Sequence, residues 1–157
     1  ILLDVTWNQQ NILKKALEQV EDKYDYCLID CPPSLNMITI NALVASDEVI
    51  VPIKIDKFAL DGLGYLLESI NEIKDEFNEN LKFLGCFITM DNSTTVNKEI
   101  KKALKDLLGE KMLDTHIRQN ISVVESTFEQ KPVIYYKSKS NASKDYIKLA
   151  KEVFKNG

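Results

Sequence analysis

Residues 26–34 read Tyr-Cys-Leu-Ile-Asp-Cys-Pro-Pro-Ser, and this stretch decides the fold prediction. It begins with a short apolar run that ends in Asp30, a pattern typical of a buried parallel strand. Because proline fixes φ and lacks an N–H donor, the two prolines indicate that residues 31–36 form a loop. The sequence therefore predicts a buried strand that presents one carboxylate at the start of a stiff loop.

Strands and helices alternate on both sides of this loop. Apolar runs predict further strands over residues 48–53 and 83–89, and residues 112–117 fit a fourth strand at an edge. Apolar residues at helical spacing predict helices over residues 7–21, 37–46, 59–77, 95–108, 121–130 and 142–155. Thr6 to Gln9 fits a capping box for the first helix, and Gly109 is expected to end the fourth. This alternation predicts an α/β fold, a doubly wound, mostly parallel sheet flanked by helices, with residues 1–157 as a single domain.

The composition excludes several classes of protein. Hydrophobic residues make up 45% and charged residues 28% of the chain, and no apolar run approaches the roughly 20 residues of a membrane span. The three cysteines and the single histidine lack the spacing of a zinc site, so the cysteines are expected to be buried free thiols. Residues 131–157 carry seven lysines and two acids, which fits either a nucleic-acid contact or an ordinary solvated helix face.

Ligands of parallel α/β sheets bind beyond the carboxyl ends of the strands. That rule points to residues 30–34, 53–58 and 89–95, all of which are polar or rich in turn-forming residues. An aspartate at a strand end suits Mg²⁺, usually through a coordinated water. Capping of the next helix explains such an aspartate equally well, so both interpretations stay open at this point.

The residues around Asp30 resemble a known family. The segment Tyr24-Asp25-Tyr26-Cys27-Leu28-Ile29-Asp30-Cys31-Pro32-Pro33-Ser34-Leu35, followed by Thr39-Ile40-Asn41-Ala42-Leu43, is similar to the Walker B and switch II region of ParA/Soj-type partition ATPases, which have a deviant Walker A P-loop. The similarity continues in order through residues 51–53, 58–63, 89–90, 114–120, 125, 131–132 and 146–153.

This resemblance implies a P-loop NTPase-like fold that binds ATP and Mg²⁺. Asp30 would be the catalytic Walker B acid and would hold the Mg²⁺ shell through water. The switch II loop that senses the γ-phosphate would be formed by Cys31, Pro32 and Pro33. The adenine would be bordered by Met90, Arg118, Gln119 and Asn120.

The family resemblance also implies a function, an ATPase that acts in plasmid or chromosome partitioning. ATP would close a homodimer, the dimer would bind DNA non-specifically, and a centromere-bound ParB-like partner would trigger hydrolysis. The protein is expected to be cytoplasmic, nucleoid-associated if it binds DNA, and without a membrane partner.

Three positions depart from the family pattern. Arg118-Gln119-Asn120 stands where the family commonly has Pro-Arg-Asn, and Thr94 and Ser122 stand where relatives often carry basic residues associated with DNA contact. Other cations are then the candidates for a DNA surface: the terminal lysines, or Lys98, Lys101, Lys102 and Lys105.

A phosphate-binding loop needs glycines, whose N–H groups converge on phosphate, followed by a lysine. None of the five glycines in this sequence belongs to a GxxxxGK[ST] pattern, and none directly precedes a lysine. The first residue is Ile1, so the first strands, the P-loop and switch I are expected to lie upstream. We therefore expect the 157 residues alone neither to bind ATP usefully nor to hydrolyse it.

Three alternatives remain from the sequence. The altered positions 94, 118 and 122 fit a degenerate, non-catalytic ParA-like scaffold. A MinD-like membrane-associated positioning ATPase would need residues 142–155 to form an amphipathic membrane helix, although packing on the sheet explains that pattern more simply. A phospho-acceptor receiver domain would also place an aspartate at a strand end, but its other acidic residues and its lysine would stand in a different order.

Overall fold

The structure of the protein is a computed structural model, and it describes residues 9–32, 34–56, 59–92 and 94–154. The helices and strands are α1 (Ile12–Leu17), α2 (Met37–Ala45), β1 (Glu48–Lys54), α3 (Ala59–Glu76), β2 (Lys82–Thr89), α4 (Thr95–Leu108), α5 (Ile121–Phe128), α6 (Val133–Tyr136) and α7 (Asn141–Val153). Short 3-10 turns cover Gln9–Asn11, Glu21–Lys23 and Gly109–Lys111. The chain divides into two compact units, unit 1 with residues 1–49 and 63–83, and unit 2 with residues 50–62 and 84–157.

The two strands pair in a parallel sheet, with α3 as the helical crossover between them. The predicted fold class, a parallel sheet flanked by helices, is confirmed. Beyond β2 the ladder continues through two isolated parallel bridges, Cys86 to Met112 and Asp91 to Arg118, instead of a regular fourth strand. Since β2 has backbone neighbours on both sides, it is more buried than β1, whose residues are mostly half-buried or exposed.

The prediction of a buried strand over residues 26–30 is wrong. This segment is irregular, and its apolar side chains lie in solvent, with Leu28 88% and Tyr26 69% exposed. A strand needs a neighbouring strand to take its hydrogen bonds, and in the described part of the chain neither the two-stranded sheet nor the isolated bridges include residues 26–30. The apolar pattern indicates which side chains favour burial, but it cannot supply the partner that a strand requires.

Unit 1 is organised around α2. The side-chain oxygen of Asn36 accepts from the N–H groups of Ile38 at 3.0 Å and Thr39 at 3.3 Å, which caps the start of the helix. At the other end, the side-chain amide of Asn78 donates to three carbonyls, those of Leu43, Val44 and Ser46, at 3.0, 3.3 and 2.7 Å. The buried core of this unit includes Val44, Leu63, Ile70 and Leu81.

Unit 2 has its core between β2, the segment 112–118 and the helices α4 and α7. Cys86, Ile88, Leu104 and Ala142 are fully buried there. Thr94 caps α4 by accepting from the N–H of Asn97 at 3.3 Å. The predicted end of this helix at Gly109 is confirmed, and the glycine has a φ of 55°, a conformation that suits a residue without a Cβ.

The other helix predictions vary in accuracy. The five predicted from residue 37 onward are confirmed to within two residues at each end. Of the helix predicted over 7–21, only Ile12–Leu17 is α-helical among the described residues, which begin at residue 9, and the proposed cap at Thr6 lies outside them. The four-residue helix α6 was not predicted, since so short an element has no periodicity to detect. No helix among the described residues combines the length and apolar character needed to cross a bilayer.

Candidate functional site

In unit 1, Asp30 lies on the irregular segment that precedes α2, and its side chain is exposed. The thiol of Cys31 donates to the carbonyl of Ile29 at 3.8 Å. Burial, and secondarily the charge of Asp30, raises the pKa of the Cys31 thiol. Pro32 is exposed beside them, and Pro33 lies outside the described residues. Of the predicted switch II residues, Cys31 and Pro32 thus lie in a solvent-facing loop rather than after a buried strand.

The far end of this loop is tied to α2 by residues to which the sequence alone gave no individual role. The hydroxyl of Thr39 donates to the carbonyl of Ser34 at 2.6 Å, and the amide of Asn36 donates to the Ser34 hydroxyl at 3.1 Å. One turn further along, Asn41 accepts from the N–H of Leu13 at 3.2 Å and donates to the carbonyl of Gln9 at 2.8 Å. The segment Thr39–Asn41 therefore anchors the loop through Thr39 and joins α2 to residues 9–13 through Asn41.

The fit of Mg²⁺ can be judged from the donors that are present. No group of three His, Cys, Asp or Glu side chains gathers around a potential ion position in the described part of the chain. A single exposed carboxylate, that of Asp30, suits Mg²⁺ held through a water, because this ion gives up its hydration waters reluctantly. Asp30 fits that limited role, and the glycine-lysine grip for phosphate is not among the 157 residues.

In unit 2, the residues predicted to border adenine come together at the carboxyl end of β2. The N–H of Asp91 donates to the carbonyl of Ile117 at 2.9 Å, and the N–H of Gln119 donates to the carbonyl of Asp91 at 3.0 Å. Met90, with a φ of 50°, is half-exposed directly before this junction. Met90 and the loop of residues 118–120, called the rim loop below, are therefore adjacent through backbone hydrogen bonds.

The side chain of Arg118 is already occupied. Its guanidinium makes two bonds to Asp145 of α7, Nε to Oδ2 at 2.8 Å and Nη2 to Oδ1 at 2.7 Å. These hydrogen bonds lower the pKa of the Asp145 carboxyl. The side-chain oxygen of Asn120 accepts from the N–H of Ser122 at 2.9 Å and caps α5. The third rim-loop residue, Gln119, is exposed, and its side chain forms no such bond to any residue in the described part of the chain.

A charged cluster that the sequence did not predict surrounds Asp91. Its Oδ2 contacts the ammonium of Lys101 and lies 3.3 Å from Nδ1 of His116. The Asp91 side chain is about nine-tenths buried, and its Oδ1 has no hydrogen-bond partner among the described residues. The three residues are distant in sequence, so helix and strand patterns could not have grouped them.

The four α4 lysines proposed for DNA contact differ in whether they are paired with an acidic side chain. Lys101 is bound to Asp91, and Lys105 donates to the carbonyl of Met112 at 3.0 Å and pairs with Asp114. Lys98 and Lys102 are exposed on α4 and form no ion pair with any residue that the structure describes.

Thr94 and Ser122, the two positions expected to depart from a basic family pattern, have structural roles in this chain. Ser122 is only 3% exposed, and the Thr94 hydroxyl caps α4. Neither position adds a positive charge to the surface.

The class of protein follows from the fold, from Asp30 with its loop, and from Met90 with the rim loop. A family model described as an AAA domain matches residues 1–83, and that family is one of P-loop ATPases. The parallel sheet with its helical crossover agrees with the P-loop NTPase fold. Asp30 and its loop belong to unit 1, while Met90 and the rim loop belong to unit 2.

Comparison with curated relatives narrows the class of P-loop ATPases to one family. The sporulation initiation inhibitor protein Soj of Bacillus subtilis is 40% identical over 92% of this chain and 58% of its own length. The chromosome partitioning protein ParA of Caulobacter vibrioides is 39% identical over 90% of this chain and 54% of its own. The chain belongs to the ParA/Soj family of chromosome-partitioning ATPases. It spans little more than half the length of these relatives.

Solved structures agree on the fold. A crystal structure titled cobyrinic acid a,c-diamide synthase from Mycobacterium smegmatis superposes with a TM-score of 0.76 at 28% identity, over 92% of this chain and 53% of that one. The same protein with a bound ATP analog and magnesium gives a TM-score of 0.67 at 32% identity, over 73% and 46%. The cell division ATPase MinD of Pyrococcus furiosus gives 0.74 at 24% identity, over 94% and 59%, a likeness of fold alone.

Proposed function

We propose that this chain is the part of a partition ATPase that carries the Walker B and switch II residues, and that the complete protein is an ATP-dependent dimer that binds DNA non-specifically. Membership of the ParA/Soj family is the observation that carries this proposal. A centromere-bound ParB-like protein would stimulate hydrolysis, and the protein would work in the cytoplasm. The bound ATP analog and magnesium of the Mycobacterium smegmatis relative support ATP and Mg²⁺ as the ligands.

Within this proposal Asp30 is the metal-binding acid. It would hold the Mg²⁺ shell through water, and the adjoining residues Cys31, Pro32 and Pro33 would respond to the γ-phosphate. The anchoring of the loop by Thr39 and Asn36 supports this role, because a loop with one end attached to a helix can pass a movement on to that helix. Met90 and the rim loop would border the base.

The Walker B assignment is tested by replacing Asp30 with asparagine in the full-length protein. Loss of a residue that holds a metal through water typically lowers activity about 10–100-fold, so Mg²⁺-dependent ATP hydrolysis should fall by that factor. Asp25→Asn is the matched control, because Asp25 is an exposed acid on the same irregular segment. Unchanged hydrolysis in Asp30→Asn would remove the assignment, and a wild-type protein without turnover would instead favour a non-catalytic scaffold.

The DNA surface is proposed to centre on Lys98 and Lys102 of α4, which are the exposed lysines of that helix without ion pairs among the described residues. Each phosphate contact adds about one unit to the salt dependence of binding. The double variant Lys98→Ala/Lys102→Ala should therefore reduce the slope of log K against log salt by about two. Lys14→Ala/Lys15→Ala removes the same charge from exposed positions of α1 in unit 1 and should leave the slope unchanged.

The 157-residue chain by itself is proposed to be inactive. Three charge-assisted hydrogen bonds to phosphate, at about 1.5–3 kcal/mol each, correspond to a loss on the order of 10³–10⁶ in affinity as a simple sum. Calorimetric titration of this chain with Mg·ATP should therefore show no binding at micromolar concentrations. Micromolar affinity would contradict the proposal that the phosphate grip lies elsewhere in the protein.

A membrane-positioning role has less support. The face of α7 that includes Ala142, Asp145 and Leu149 is buried in unit 2, and Glu152 accepts hydrogen bonds from the segment 112–118. A helix with those contacts would have to leave its unit in order to lie on a bilayer. Co-sedimentation with liposomes tests this alternative, and we expect no lipid-dependent pelleting.

A further inference from the structure

The carboxylate of Asp145 holds the first residue of the rim loop by both its backbone and its side chain. Oδ2 accepts from the main-chain N–H of Arg118 at 3.1 Å as well as from Nε, and Oδ1 accepts from Nη2. The Asp145 side chain is only 12% exposed, whereas that of Arg118 is 50% exposed. Asp145 is therefore the more firmly held partner of the pair. It lies on α7, 27 residues after Arg118 in the sequence.

The bond to the backbone distinguishes this contact from an ordinary surface ion pair. Two exposed side chains can pair without restraining the main chain, and such pairs contribute little. Here the N–H of Arg118 is fixed by α7, and the next N–H, that of Gln119, is fixed by the carbonyl of Asp91 at the end of β2. Two consecutive amides are thus held by two different elements, which fixes the course of the rim loop.

We propose that Asp145 is a positioning residue for nucleotide binding. By holding Arg118 it keeps Gln119 and Asn120 beside Met90, although the carboxylate itself does not touch the base. This inference rests on the proposed function, in which the rim loop borders adenine. If the loop leaves this position for part of the time, the apparent affinity falls in proportion to the fraction of molecules that are competent to bind.

The same helix offers a matched control. Glu152 also accepts two backbone N–H bonds, from Asp114 at 2.7 Å and Thr115 at 3.0 Å. Like Asp145, Glu152 is a carboxylate of α7 that accepts backbone N–H bonds, but the residues that it holds precede the rim loop. A loss of nucleotide affinity that is specific to Asp145 would therefore report on the loop, and an equal loss for both would report on the docking of α7 as a whole.

The experiment compares the full-length wild-type protein with Asp145→Asn, Asp145→Ala and Glu152→Gln. For Asp145→Asn we expect the KM for ATP to rise about tenfold while kcat changes less than about threefold, since the loss acts on the competent population. Glu152→Gln should keep the KM within about twofold of wild type, because the bonds of the rim loop remain. Hydrogen exchange should become faster at the amides of residues 118–120 in Asp145→Asn but not in Glu152→Gln.

Each outcome decides the question. Unchanged KM and exchange in Asp145→Asn, in a background where wild type binds ATP, overturn this inference and leave the proposed function standing. Equal increases of KM in Asp145→Asn and Glu152→Gln overturn it as well. A wild-type protein without affinity for ATP overturns both the positioning role of Asp145 and the proposed function. If Asp145→Ala does not fold, Asp145→Asn, which has nearly the same shape, carries the comparison.

Discussion

Replacing Gly85 with alanine should destabilise this protein more than any other exchange of glycine for alanine in the described residues. Gly85 lies in β2 with a φ of 148°, a conformation that residues with a side chain rarely adopt. A Cβ at this position would overlap the carbonyl oxygen of Lys111 and would lie 2.7 Å from Cδ1 of Leu113. The first obstacle is backbone, so rotation of a side chain cannot relieve the clash.

The expected cost has three parts. The unusual backbone conformation costs about 1–3 kcal/mol for a residue with a Cβ. Displacing the segment around Lys111 adds about 1–3 kcal/mol, the usual range for overpacking. That displacement also strains the bond from the N–H of Leu113 to the carbonyl of Cys86, 2.8 Å long, which contributes about 1 kcal/mol. The free energy of unfolding should therefore fall by about 3–7 kcal/mol, against the 5–15 kcal/mol typical of a native protein.

The assay is urea unfolding of the full-length protein, followed by circular dichroism. Two controls separate the contributions. Gly109→Ala shares a positive φ but meets no atom within 4 Å, so it should cost only the backbone part, about 1–3 kcal/mol. Gly64→Ala lies in α3 with open space around it and should stabilise the protein by up to about 1 kcal/mol. A Gly85→Ala variant no less stable than Gly109→Ala would refute the steric reasoning.

The remaining predictions concern three other side chains. Because its arginine partner lowers the pKa of Asp145, that carboxylate stabilises the protein above the ordinary aspartate pKa, and the stabilisation is lost as the pH falls through the lowered value. Asp145→Asn should thus reduce the free energy of unfolding by about 1.5–3 kcal/mol at neutral pH, and its difference from wild type should shrink below about pH 4 in urea titrations. Asn78→Ala removes the side-chain amide that donates to three carbonyls at the end of α2 and should cost about 1–3 kcal/mol in the same assay, whereas no loss would make those bonds energetically irrelevant. Burial raises the pKa of Cys86 to about 12, so peptide-mapped alkylation at neutral pH should modify the exposed Cys27 and Cys31 first and Cys86 only after unfolding; early labelling of Cys86 would contradict its burial.

Several sequence predictions failed for related reasons. All three cysteines were expected to be buried, yet only Cys86 is, since the run that contains Cys27 does not join the sheet of the described residues. For the same reason residues 26–30 are not a strand. Residues 112–118 form only isolated bridges, one to Cys86 of β2 and one to Asp91 beyond its end, because Glu152 accepts the N–H groups of Asp114 and Thr115. A pattern in the sequence reports the preference of a side chain for burial, but not the availability of a hydrogen-bonding neighbour.

The sequence by itself determined the family, the parallel α/β class and the positions of α2, β1, α3, β2 and α4. The family follows from the resemblance of residues 24–43 and the segments after them, whereas the fold class and the helix and strand positions depend on apolar spacing, helix caps and turn residues, which act between residues only a few positions apart. Only the tertiary structure decided that Arg118 is held by Asp145 rather than free to face a ligand, and that Lys101 and His116 meet at Asp91. Contacts of this kind join residues that are distant in sequence, and they depend on how the chain folds back on itself, which no local pattern records.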